Sequence, residues 1–135
     1  MSDLPTPRPF ITPETELFWS ATTEERLLLR RCTDCETVYF YPRELCPDCL
    51  SEDTEWTEAS GEGVIYTYTV TRQTRGPYGD ATPYVLAYVE LEEGPRIVTN
   101  IVECDPDDLE IGQAVEVVFD DVDDEASLYR FRPQK

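Results

Sequence analysis

Two pairs of cysteines hold the clearest chemistry in this chain: Cys32-Thr33-Asp34-Cys35 and Cys46-Pro47-Asp48-Cys49, with ten residues between them. Thiolate sulfurs are soft ligands, and four of them complete the tetrahedral shell of a zinc ion. Two residues between the cysteines of a pair let one tight turn aim both sulfurs at one ion. The intervening segment includes Val38-Tyr39-Phe40-Tyr41, which reads as a strand, so a short hairpin can bring the two turns together. The spacing predicts a Zn2+ ion held by Cys32, Cys35, Cys46 and Cys49. Four protein ligands leave no open position, so the metal is structural and not catalytic. A four-sulfur site also accepts iron. The fifth cysteine, Cys104, lies more than 50 residues downstream and has no partner among the pairs. It reads as a small, half-buried apolar residue.

Little else in the chain suggests chemistry. There is no histidine, which removes the commonest general base and the Ser-His and Cys-His nucleophile arrangements. The six glycines are too scattered for a phosphate-cradling loop. No catalytic residue is assigned. Positive charge is scarce, so each arginine is informative. Arg43 lies between the cysteine pairs, Arg72 and Arg75 sit beside the Gly76-Pro77-Tyr78-Gly79 loop, and Arg96 opens a strand. A guanidinium fork suits a phosphate or an acidic partner. Internal pairing with the 29 acidic residues is the competing use.

The formal charge is −18, and of 11 basic residues only Lys135 is a lysine. Carboxylates hydrate well and dense salt screens their mutual repulsion, so this balance points to a salt-rich, halophilic cytosol. It weighs against nucleic acid as a partner, because that affinity rests on cations that neutralise phosphates. Residues 1–5 show no basic segment leading into an apolar one. No apolar run approaches the roughly 18 residues of a spanning helix. The expectation is a cytoplasmic protein with no membrane contact. A reducing cytosol favours metal ligation of paired cysteines over disulfides.

The elements that must position these groups follow from local pattern. Pro5, Pro7 and Pro9 imply an extended start. Thr12-Pro13-Glu14 predicts a helix start, and Leu17, Phe18 and Trp19 give a short helix an apolar side that ends near Thr22-Thr23. Phe18 and Trp19 either cover the core or meet another chain. Leu27-Leu28-Leu29 leads into the first cysteine pair as a strand. Acidic, polar residues 51–60 follow the second pair, and Gly61-Glu62-Gly63 marks a boundary. The division is residues 1–25 as N-terminal extension and helix, 26–60 as ribbon, and 61–135 as barrel. Strands are expected at 64–71 (with Tyr66 and Tyr68 on one face), 84–91, 96–103, 115–119 and 127–132, with a capped helical turn at 105–109. Five short strands suit a small closed barrel. The OB-fold leads, and small SH3-like barrels remain open.

Taken in order, these residues resemble a known family. Phe18-Trp19, Arg26-Leu27-Leu28-Leu29-Arg30-Arg31-Cys32-x-x-Cys35 and Tyr41-Pro42-Arg43-x-x-Cys46-Pro47-x-Cys49 form one half of the pattern. Gly61-x-Gly63-Val64-Ile65-Tyr66, Pro83-Tyr84-Val85-Leu86-Ala87, Gly94-Pro95-Arg96, Asp105-Pro106-x-Asp108-Leu109-x-Ile111-Gly112 and Phe131-Arg132-Pro133 form the other. The set is similar to the zinc-ribbon/OB-fold family of acyl-CoA-associated proteins, long catalogued as domain of unknown function thirty-five. The resemblance covers about residues 14–133. It implies a mainly β chain: a short N-terminal helix, a rubredoxin-like zinc ribbon and a five-stranded OB-fold. It also implies a place beside thiolase-superfamily enzymes. Relatives join acetoacetyl-CoA thiolase to hydroxymethylglutaryl-CoA synthase, serve as a small subunit of haloarchaeal β-ketothiolases, or accompany sterol side-chain aldolases and hydratases. One departure stands out. Family knuckles often place glycine after the second cysteine, where the turn favours positive φ, and here those positions are Glu36 and Leu50. An altered knuckle geometry is therefore expected.

The function this supports is a non-catalytic accessory or scaffold subunit of a thiolase-superfamily complex, a part of an acyl-CoA acyltransferase assembly. It would complete or bridge an acyl-CoA site. Arg43, Arg72, Arg75 and Arg96 are candidate contacts to CoA or the partner, and Phe18 and Trp19 candidate contacts to the catalytic subunit. The alternatives are an OB-fold module for single-stranded nucleic acid, with Tyr66 and Tyr68 as stacking surfaces, and an iron-containing, rubredoxin-like redox protein.

Overall fold

A proline-rich arm leads into a single short helix in the computed structural model, which describes residues 4–134. The Thr12 N–H donates to Thr15 Oγ1 at 2.9 Å, and the Thr15 N–H to the Thr12 carbonyl at 3.0 Å. That closed turn delays the helix: α1 runs Glu16–Thr22 with Thr15 at the N-cap, a turn later than Thr12-Pro13-Glu14 predicts. Phe18, Trp19, Ala21 and Thr22 form its buried face. The chain reverses at Glu25, whose φ is +60°.

Three strands make the ribbon: β1 (Leu28–Cys32), β2 (Val38–Tyr39) and β3 (Thr54–Glu58). β1 is central, antiparallel to β2 on one side and β3 on the other. β3 lies in the acidic, polar stretch 51–60, where the sequence pattern marks no strand. As an edge strand it needs few apolar residues, and Glu55 and Glu58 face water. Trp56 was its one cue, and it receives the Arg30 guanidinium 4.6 Å above its ring.

Five strands close a barrel: β4 (Glu62–Thr71), β5 (Tyr84–Leu91), β6 (Arg96–Ile101), β7 (Ala114–Asp121) and β8 (Ser127–Pro133). Their order around the barrel is β4-β5-β6-β8-β7. The β6–β8 pair is parallel and the other pairs are antiparallel. This is the five-stranded Greek-key arrangement of the OB-fold. Gly63 is required where β4 crosses β5, because a Cβ there would lie 2.5 Å from the Glu90 carbonyl oxygen. Between Ile65 and Thr67 the register shifts by a β-bulge. An extra residue flips the strand's alternation. Gly63 and Ile65 are buried before the bulge, and Tyr68 and Val70 turn inward after it. Tyr66 and Tyr68 therefore do not share a face. Tyr66 is exposed, whereas the Tyr68 hydroxyl donates to the Leu109 carbonyl at 3.0 Å. A 3-10 turn at Gly76–Ala81 lies between β4 and β5. A second, Pro106–Asp108, is capped by Asp105 as the sequence predicts, its carboxylate accepting the Asp107 N–H at 3.0 Å.

One hydrophobic core runs through the helix, ribbon and barrel. The fully buried Phe18 ring lies at the junction, with centroids 4.9 Å from Trp19, 5.6 Å from Phe40, 5.7 Å from Tyr41 and 6.1 Å from Tyr129. Trp19 Nε1 donates to the Tyr41 hydroxyl at 2.8 Å, and Thr22 Oγ1 accepts the Ser127 N–H at 2.9 Å. Phe18 is 0% and Trp19 5% exposed, so both rings cover the core of this chain. Replacing Phe18 by Ala removes the ring shared by all three parts. The expected cost is about 3–5 kcal/mol in denaturant unfolding followed by tryptophan fluorescence. A cost below about 1 kcal/mol would show that the ring is not the joint.

Candidate metal centre

Each cysteine pair is folded into a tight knuckle at one end of the ribbon. In the first, the Cys35 N–H points at Cys32 Sγ (3.4 Å), and the Cys32 N–H returns to the Thr37 carbonyl (2.8 Å). In the second, the Asp48 N–H points at Cys46 Sγ (3.4 Å), and the Cys46 N–H returns to the Ser51 carbonyl (3.0 Å). The residues that follow, Glu36 and Leu50, both have φ of +62°. The expectation of altered knuckle geometry is thus corrected: both positions adopt the left-handed turn without glycine, at a cost in backbone strain. The ring of contacts between the knuckles explains how that strain is held. The Thr33 N–H and hydroxyl both donate to the Asp53 carbonyl at 2.9 Å, the Thr37 hydroxyl donates to Asp48 Oδ2 at 3.1 Å, and the Ser51 hydroxyl donates to Asp34. Sequence spacing alone does not single out these polar partners.

The four sulfurs converge. Cys32 Sγ is 3.6 Å from Cys49 Sγ, Cys35 Sγ is 3.6 Å from Cys46 Sγ, and all four lie within 4.8 Å of one another. A zinc–sulfur bond of about 2.3 Å gives a tetrahedron with edges of roughly 3.8 Å, so the donor set fits the ion in kind, number and size. Cys32 and Cys46 are buried, and Cys35 and Cys49 are at the surface. Charge is uneven across the thiols. The Thr37 hydroxyl, then its backbone N–H, pull Cys35 down to about 6. At Cys49 the Ser51 N–H is the largest influence and lowers the pKa, but hydrogen bonds with Cys32 and Cys35, together with burial, outweigh it and push the thiol up to about 12. Four packed sulfurs cannot all ionise without a cation among them.

The remaining candidates are spread out. Cys104 is half-buried on the barrel, with its thiol 3.8 Å from the Ile101 carbonyl, and burial raises its pKa. Arg72 Nη2 lies 3.6 Å from Asp107. Arg96 Nε lies 3.0 Å from Glu90, with its guanidinium 3.8 Å above the Tyr66 ring. Arg43 and Arg75 are exposed, with no carboxylate at ion-pair distance among the described residues. Beside the second knuckle lies an open groove of about 710 Å³, with Phe10, Tyr41, Arg43, Leu45 and Leu50 among its walls. Nothing in the spacing of those residues signals it.

Fold and cysteine cluster together define a zinc-ribbon protein with an OB-fold barrel. Residues 19–55 match the family model for the rubredoxin-like zinc ribbon domain of ChsH2, and residues 56–120 that for its C-terminal OB-fold domain. A DUF35 domain-containing scaffold protein of Methanocaldococcus jannaschii is 45% identical over 111 residues, 76% of this chain and 78% of that one. A probable enoyl-CoA hydratase alpha subunit of Thermomonospora curvata is 40% identical over 94% of this chain, which spans only 40% of that relative's length. A benzoylsuccinyl-CoA thiolase subunit of Geobacter metallireducens is 35% identical over 71 residues, 53% of this chain and 47% of that one. Among solved structures, a chain of the Ltp2-ChsH2(DUF35) aldolase superposes with a TM-score of 0.82 at 40% identity, covering 93% of this chain and 98% of that one. The chain belongs to the DUF35 family.

Two outcomes test the centre. Cys46→Ser loses the metal by elemental analysis, and the ribbon unfolds; a fully folded, metal-free variant contradicts the site. Loading expels protons from the thiols, so zinc affinity rises with pH. With Cys35 held near 6 and Cys49 near 12, titrating zinc against a chromophoric chelator between pH 6 and 8 gives tighter binding at the higher pH. An affinity that does not change with pH contradicts thiolate ligation.

Proposed function

We propose that this protein is a non-catalytic scaffold subunit of a thiolase-superfamily complex, carrying one structural zinc ion on Cys32, Cys35, Cys46 and Cys49. The observation that carries the reading is the 40% identity and 0.82 TM-score over nearly the whole length of the chain solved within the Ltp2-ChsH2(DUF35) aldolase. The relatives that are a scaffold protein and a thiolase subunit support it. The chemistry of the chain supports it as well. Histidine is missing, and the four convergent sulfurs would fill a metal's coordination shell. The metal's contribution is to fold the ribbon; the ligation itself is worth on the order of 10–16 kcal/mol.

The parts divide the work. The α1 helix clamps the ribbon to the barrel, and the ribbon and barrel together present surfaces to an acyl-CoA enzyme. Arg75, and Arg72 beside it, are the arginines best placed to meet a CoA phosphate, since both are exposed on the loop before the first 3-10 turn. Arg96 is a weaker candidate, engaged by Glu90 and Tyr66. The net charge of −18 supports the cytoplasm of a halophilic archaeon as the setting of the complex. No helix among the described residues is long and apolar enough to cross a membrane.

Affinity purification from the native host in high salt, with mass spectrometry and a thiolase assay, tests the reading. The expected result is a co-purifying thiolase-like chain that is inactive alone and regains activity when this protein is added back. A monomer with no acyl-CoA enzyme attached refutes it.

A further inference from the structure

Leu50 closes the second knuckle, its N–H donating to the Cys46 carbonyl at 2.9 Å, but leucine is a costly residue for that turn. It holds φ of +62°, a region that disfavours a leucine, yet 72% of its surface is in water. The equivalent residue of the first knuckle behaves otherwise. Glu36 has the same φ, and its carboxylate pairs with Arg31 at 3.1 Å. A strained, exposed leucine gains burial only against something outside the chain. It does not stand alone. Phe10 is 86% exposed, Leu45 44% and Tyr41 36%, and all three line the same groove of about 710 Å³. Such crowding of apolar side chains is unusual on a surface whose chain has 29 acids.

The groove's charge says what fits it. Among the described residues the one acid in its walls is Glu14, whose carboxylate accepts the Glu44 N–H at 2.8 Å. Among the described residues the one cation there is Arg43, which is exposed and has no carboxylate at ion-pair distance. An apolar trough with an unanswered guanidinium at its wall accepts an apolar side chain next to a carboxylate.

We infer that the groove beside the second knuckle docks the catalytic subunit, through a segment that presents an apolar side chain flanked by an acidic one. This rests on the scaffold reading above and deepens it by naming the face. The ribbon then serves as a rigid mount: the metal fixes the Cys46–Cys49 knuckle, and the knuckle holds Leu50 toward its partner.

The test titrates the thiolase-like subunit recovered above with the full chain and three variants in high salt. Leu50→Gly suits the left-handed turn, so its thermal midpoint stays at or above that of the original chain, while docking weakens about tenfold or more. Arg43→Glu also weakens docking about tenfold. Tyr88→Ser, on the outer face of the barrel, docks as the original chain does. If both groove variants dock as tightly as the original and Tyr88→Ser fails, the interface is the barrel and this inference falls while the scaffold reading stands. If the original chain binds no such subunit, both fall. Calorimetry with CoA alone supplies the last arm: CoA binding that Arg43→Glu abolishes gives the groove to the nucleotide and overturns protein docking.

Discussion

The Phe18 ring is the interaction on which the rest of the structure depends. A seven-residue helix is too short to persist alone, and a three-stranded ribbon with a two-residue strand has almost no core of its own. Phe18 touches the ring of Trp19 in the helix, Phe40 and Tyr41 in the ribbon, and Tyr129 in the barrel. Each part therefore borrows apolar surface from the others. Leu27, just before β1, and Leu28 and Leu29 within it extend the same core, so the segment that leads into the first knuckle is anchored before the metal site begins.

The metal site is the complementary device at the far end of the ribbon. Hydrophobic burial cannot order a loop that holds so many polar residues, and ligation replaces it. The hydrogen bonds linking Thr33 to Asp53, Thr37 to Asp48 and Ser51 to Asp34 tie each knuckle to the other or to the residue before β3, so the sulfurs are set in place by backbone and side chains together.

What could be read from the sequence was whatever has a period or a fixed spacing. The cysteine pairs, the β5 strand and the Asp105 cap are of this kind. The misses have physical reasons. β3 is an edge strand whose acids hide the strand pattern. The bulge near Tyr66 slips the alternation by one residue, which no pattern of period two records. Glu36 and Leu50 take a conformation usual for glycine because surrounding contacts override local preference. Phe18 and Trp19 look available on a short helix, and only the placement of ribbon and barrel shows that both are covered. The arginines divide in the same way: pairing at Arg72 and Arg96 depends on Asp107 and Glu90, which are close in space and unremarked in sequence.

The parallel seam of the barrel has a consequence for the order in which the chain assembles. β4, β5 and β6 form a meander of neighbours, and β7 and β8 form a hairpin, so both sheets grow from local contacts. Closure waits for pairings between distant segments: Ile101 with Phe131 on one side, and Gly63 with Val115 on the other. Loop-closure entropy makes such contacts the slow ones. On a ribosome the barrel cannot shut until its last strand has emerged, and the Phe18 ring must wait for Tyr129 to complete its surroundings. The ribbon's four sulfurs and its strand pairings all lie before Gly61, so it can capture its metal early, while its core contacts with the barrel wait for closure.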